Sequence, residues 1–211
     1  MKTITHHAPE SLLASYTSGS STYPFALVIA AHVSMCTECR AALETQQAIG
    51  GQLLESCAST LLSADLKDRV LTLLDVDEEP ASDYHRSGIY PEPVVEALKG
   101  SAPRWKSLGM GVRQCVLSHD SAGSVRLLHI PPGQAVPDHG HNGLELTLVL
   151  QGSFSDETGR FRLGDLEVAG DDLEHTPIAG SGEPCVCLAA TEAPLRFNSF
   201  IPRLLQPLFK I

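Results

Sequence analysis

The apolar positions of this chain change their period near residue 76. Before it they recur at helical spacing. Pro9 suits a first helical turn, Leu12, Leu13 and Tyr16 follow it, and Gly19 ends the run. From Phe25, the positions 25, 28, 29, 32, 36, 39 and 43 repeat at i, i+3, i+4 and i+7. That pattern predicts one long helix, or two helices meeting near Met35. A further amphipathic helix is predicted at 63–75, with Ser63 as its N-cap and Leu66, Val70, Leu73 and Leu74 as its stripe.

Residues 76–92, VDEEPASDYHRSGIYPE, have no apolar period and read as a linker. A short helix is predicted at 93–99. Beyond it the pattern shortens to VRQCVL, SVRLLHI, LELTLVLQG, RFRLG, DLEVAG, CVCLAAT and LRFNSF. These runs are β-branched or alternating, and Gly, Pro and Asp turns separate them. They predict an antiparallel sandwich or barrel. The expected fold class is therefore α + β in two domains: helical over 1–75, a linker over 76–92, and all-β over 93–211.

Composition narrows the function. No apolar run approaches the roughly 20 residues that span a bilayer, and the longest, FALVIAAHV, contains His32. The N-terminus lacks the basic-then-apolar pattern of a secretory signal. The expectation is a cytoplasmic protein with no membrane partner. Its six cysteines then serve as thiols or metal ligands and not as disulfides. The formal net charge is −10, and every segment is acidic. Residues 1–75 carry 4 basic and 7 acidic side chains, 76–90 carry 1 and 4, and 91–211 carry 10 and 14. No basic patch is visible, so direct nucleic-acid binding is not expected. A basic protein partner fits better.

Two stretches carry chemistry. In HVSMCTEC, His32, Cys36 and Cys39 stand at i, i+4 and i+7, which is one face of a helix. Thiolates and imidazoles are the usual donors of tetrahedral structural zinc. His7 could supply the fourth donor, with His6 as its competitor. The plainer alternative is two buried cysteines beside a core histidine. A redox C-x-x-C would need a thioredoxin-like βαβ setting, which is absent.

The second stretch is PDHGHNGLELTLVLQG. His139 and His141 share a strand face, and Glu145 keeps their parity if the strand continues. A carboxylate turned inward needs a partner, and a metal ion supplies one. Gly133, His139, His141, Glu145 and Gly152 resemble the first cupin motif at every position. Gly164 and His175 keep the spacing of the second, but Gly170, Asp172 and Ala179 depart from it. His175 is the fourth ligand candidate. Three imidazoles and a carboxylate suit several divalent transition metals. Cys185 and Cys187 alternate on a strand and read as core thiols, with redox sensitivity as the other reading.

His7 followed by H-x-x-x-C-x-x-C resembles the zinc-binding anti-sigma domain, and Leu12, Tyr16 and Gly19 fit its flanks. With a C-terminal cupin, the whole chain resembles the ChrR family of transcriptional regulators. That resemblance implies a four-helix domain holding Zn2+ at His7, His32, Cys36 and Cys39. Its fourth helix would help to embrace an extracytoplasmic-function sigma factor. It further implies a jelly-roll cupin with Zn2+ or another divalent metal at His139, His141, Glu145 and His175. Such a protein is a regulator that releases its partner on exposure to singlet oxygen or organic hydroperoxide. The rival is a metal-dependent cupin enzyme of the small-molecule dioxygenase kind, which needs an open coordination position.

Overall fold

A computed structural model describes residues 3–74, 83–194 and 196–197. Most of the acidic stretch within the expected linker, and the tail from residue 198, lie outside the described residues.

Helix α1 spans Glu10–Thr17, with Pro9 at its N-cap. Helices α2 (Tyr23–Met35) and α3 (Thr37–Ser56) meet at a bend of 115°. Cys36 makes the break. It is extended, closing α2 and capping α3, and its sulfur accepts the N–H of Cys39 at 3.5 Å. Helix α4 spans Leu66–Leu74, and α5 spans Glu92–Ala97. No single helix among the described residues is long and apolar enough to cross a membrane.

Among the described residues twelve strands follow, β1 (Lys106–Gly109) to β12 (Arg196–Phe197). One antiparallel six-stranded sheet runs β1-β2-β3-β11-β5-β8, in which β2 is Val112–Asp120, β3 Gly123–Ile130, β5 Glu145–Gln151, β8 Leu166–Ala169 and β11 Cys185–Thr191. Two three-stranded sheets close the other side. One is β10-β6-β7, with β6 Ser153–Ser155, β7 Arg160–Arg162 and β10 Ile178–Ala179. The other is β12-β4-β9, with β4 His139–Gly140 and β9 Glu174–His175.

The central strands of the large sheet, β3, β11 and β5, are buried on both faces. Inside the barrel, Val149, Cys187, Ile130, Phe154 and Phe161 form an apolar floor. On the outer face, Leu127, Leu146, Leu148 and Leu188 share one core with Val28 and Ile29 of α2. Helix α2 also packs on α1, α3 and α5. It is apolar all round because it is covered all round. Burying Val28 or Ile29 fully contributes about 1.5–3 kcal/mol each. The core of the helices and the outer core of the barrel are therefore continuous.

Candidate metal centres

The first group forms where α1, α2 and α3 converge. His7, His32, Cys36 and Cys39 each bring one donor atom within 4.8 Å of the others. His32 lies at the end of α2, Cys36 in the bend and Cys39 in the first turn of α3. Convergence thus comes from two helices meeting at Cys36 and not from one continuous helical face. His32 Nε2 is 3.2 Å from Cys39 Sγ, and His7 Nδ1 is 3.3 Å from Cys36 Sγ and 3.6 Å from Cys39 Sγ. A zinc tetrahedron with ordinary Zn–N and Zn–S bonds has an N···S edge of about 3.6 Å. The donor set fits.

The outer nitrogens are held as well. His32 Nδ1–H donates to the Gly164 carbonyl at 3.1 Å, so its Nε2 lone pair faces the sulfurs. His7 Nε2 stands 3.4 Å from Glu38. Burial pulls His32 down to about 4, only partly opposed by the Gly164 carbonyl. Burial likewise pushes the Cys39 thiol up to about 11. Burial alone thus favours neutral His32 and a protonated Cys39; a divalent cation would supply the charge that lets a thiol ionise. His6, the competitor for the fourth place, turns away. Its ring packs on Phe161 with centroids 4.4 Å apart.

The second group lies inside the barrel. His139 and His175 face each other across paired β4 and β9. The Nε2 atoms of His139 and His141 are each 3.3 Å from that of His175. A tetrahedron with Zn–N bonds of 2.0–2.1 Å has edges of about 3.3–3.4 Å. Outer partners select the nitrogen that points inward. His139 Nδ1–H donates to the Pro137 carbonyl at 2.8 Å, and His175 Nδ1–H donates to Asp156 at 2.6 Å.

Glu145 is placed differently from the three imidazoles. It faces the interior, but its Oε2 stands 3.2 Å from His141 Nδ1, the nitrogen pointing away from the other rings. The three imidazoles form the close group without it. The parity argument fails because the strand does not continue. Residues 141–144 break it, and β4 and β5 belong to different sheets. Glu145 Oε1 accepts the Thr147 hydroxyl at 3.0 Å, while Oε2 and His141 Nδ1 are buried without an aligned hydrogen bond. The two atoms face each other, so a carboxylate stands behind His141 as others stand behind His175.

Two residues escaped the sequence reading. Asp156 precedes β7 and Glu167 lies in β8; both stand behind His175 at Nδ1, Glu167 at 3.5 Å. Burial opposes the charge on His175, but Glu167 and Asp156 outweigh it and hold this imidazole up at about 9. Burial, reinforced by Asp156, pushes Glu167 up to about 8. The alternation of Glu167 with Leu166 and Val168 in DLEVA, which puts it on the opposite face from both, was the available signal. The thiols of Cys185 and Cys187 lie 3.9 Å apart and buried. Their mutual hydrogen bond and burial push Cys187 well above its ordinary value.

Comparison with known proteins identifies the family. The family described as ChrR cupin-like domain matches residues 96–194. The anti-sigma-E factor ChrR of Cereibacter sphaeroides is 49% identical over 212 residues, covering 99% of this chain and all of that protein. The crystal structure of Rhodobacter sphaeroides SigE in complex with the anti-sigma ChrR superposes with a TM-score of 0.80 at 46% identity, covering 90% of this chain and 99% of that one. The chain belongs to the ChrR family of anti-sigma factors, regulators that join a helical domain to a cupin barrel.

Proposed function

We propose that this chain grips an extracytoplasmic-function sigma factor with its helical part and releases it when the barrel meets singlet oxygen or an organic hydroperoxide. The observation behind the grip is an uncovered apolar arm. The second half of α3, the segment after it and α4 carry Leu53, Leu54, Leu62, Leu73 and Leu74, which are 64% to 74% exposed. Large apolar side chains so close together on an isolated arm favour a protein partner. The relative crystallised with SigE supports the identity of that partner. The acidic balance suits a basic surface on the sigma factor.

In this reading the helical group holds Zn2+ through His7, His32, Cys36 and Cys39. The barrel group holds Zn2+ or another divalent transition metal through His139, His141 and His175, with Glu145 beside them. Residues 1–75 carry inhibition, and 93–211 carry the response. Work is done in the cytoplasm, where the sigma factor is.

The test is in vitro transcription with a purified extracytoplasmic-function sigma factor. Full-length protein should block it. Leu53→Asp combined with Leu73→Asp should relieve the block while leaving the melting temperature almost unchanged, because neither side chain is packed. Inhibition that survives both aspartates would refute the arm as the gripping surface.

A further inference from the structure

Two of the four donors in the helical group are held from outside the helices. His32 Nδ1–H donates to the carbonyl of Gly164, in the turn between β7 and β8. His7 follows Thr5 and His6, whose N–H groups both donate to Asp165 Oδ1, at 2.7 and 3.0 Å. The Leu166 N–H donates to the His6 carbonyl at 3.1 Å. Asp165 Oδ2 accepts the N–H of Arg162 at 2.8 Å and closes the turn. Asp165 is 2% exposed. Gly164 has φ +89°, and a Cβ there would lie 2.6 Å from Ile4 Cδ1. The backbone conformation calls for glycine, and a larger residue would also have to displace the Ile4 side chain.

We infer that turn 162–165 of the barrel is an outer shell of the helical metal site, with Gly164 and Asp165 as positioning residues for His32 and His7. The inference rests on the reading that those four donors bind a metal. A carbonyl on Nδ1 fixes the tautomer of a ligating imidazole and raises its basicity. A carboxylate on two successive amides fixes the segment that delivers His7. That segment, residues 3–9, has no helix or strand of its own. Without Asp165, each binding event would have to order it. The same stretch of barrel carries Asp156 and Glu167 to His175. One length of chain, 156–167, therefore stands behind ligands of both groups.

Full-length protein tests this with two readouts. One is the rate of zinc transfer to a chromophoric chelator. The other is the absorption of the cobalt-substituted protein, in which thiolate-to-cobalt charge transfer arises at the cysteine-bearing group alone. Asp165→Ala should speed zinc transfer from that group by about 10–100-fold and shift the cobalt bands. Asp165→Asn should fall between, because its amide oxygen still accepts the Thr5 and His6 amides. If Asp165→Ala does not fold, the asparagine variant carries the test alone. Ile130→Ala, in β3, is the control: it should lower the melting temperature and leave transfer and spectrum unchanged. Wild-type transfer and bands in the folded Asp165 variants would overturn the inference. So would equal acceleration by Ile130→Ala, since stability alone would then explain it. Absence of the charge-transfer band from wild-type protein would instead overturn the metal reading beneath it.

Discussion

The two donor groups differ in closure. The helical group offers four donors, two of them sulfur, drawn from a terminal segment and the junction of two helices. The barrel group offers three imidazoles from one domain, with carboxylates standing behind two of them. Four protein donors complete a tetrahedron and leave nothing for chemistry; three leave a position open. On the proposed reading, the same few residue types would make a closed structural site in one place and an open centre in the other. What separates them is the geometry of the supporting backbone. A helix break brings Cys36 and Cys39 to one point with His7 and His32, whereas a strand break turns Glu145 toward the back of His141.

The strongest way to break this comparison is at the closed site. Cys36→Ala should lose about one equivalent of zinc and unfold the helical region, because structural zinc of this kind contributes about 10–16 kcal/mol of apparent folding free energy at neutral pH. Metal analysis and far-ultraviolet circular dichroism measure both effects. Wild-type zinc content in that variant would remove the structural role. Next in size is His141→Ala, which should empty the barrel while the helical zinc stays, read as the loss of one metal equivalent of two.

Glu145→Gln sharpens the contrast further. As an outer partner of His141, Glu145 should be worth about 10–100-fold in barrel metal affinity. A loss as complete as that of His141→Ala, measured by isothermal titration, would make it a full ligand. The smallest effect concerns the arm. Gly50 and Gly51 lie inside α3, and a Cβ at either would meet no atom within 4 Å. Alanine at either should stabilise the helix by about 1 kcal/mol, seen in the melting curve. A destabilised variant would mean that packing not visible here requires the glycines.

Most elements were legible in the sequence. The period of the apolar residues located α1, the α2–α3 region, α4 and the long strands, because each has one repeating face. Short strands such as β4 and β9 were not, since two residues carry no period. The bend at Cys36 was open in the sequence because Cys, Met and Thr all tolerate a helix; only the cap formed by the Cys36 sulfur decides it. Seven of the eight expected donors stand in the two close groups, and His7, not His6, lies beside Cys36 and Cys39. Glu145 was displaced because parity assumes an unbroken strand. Asp156, Glu167 and Asp165 are invisible to spacing, since their partners are distant in the chain.

Helix α2 has a consequence for how such a protein can change. The segment near 76–92 looks like a seam at which one barrel could be exchanged for another. Val28 and Ile29 sit in the outer core of this barrel, and His32 meets its Gly164 carbonyl. A transplanted barrel would have to arrive with an apolar outer face of matching relief and a turn that reaches the histidine. Inheritance of the two halves is therefore coupled: substitutions on the outer face of β5 or β11 select for answering substitutions in α2, long after any shuffling that joined them.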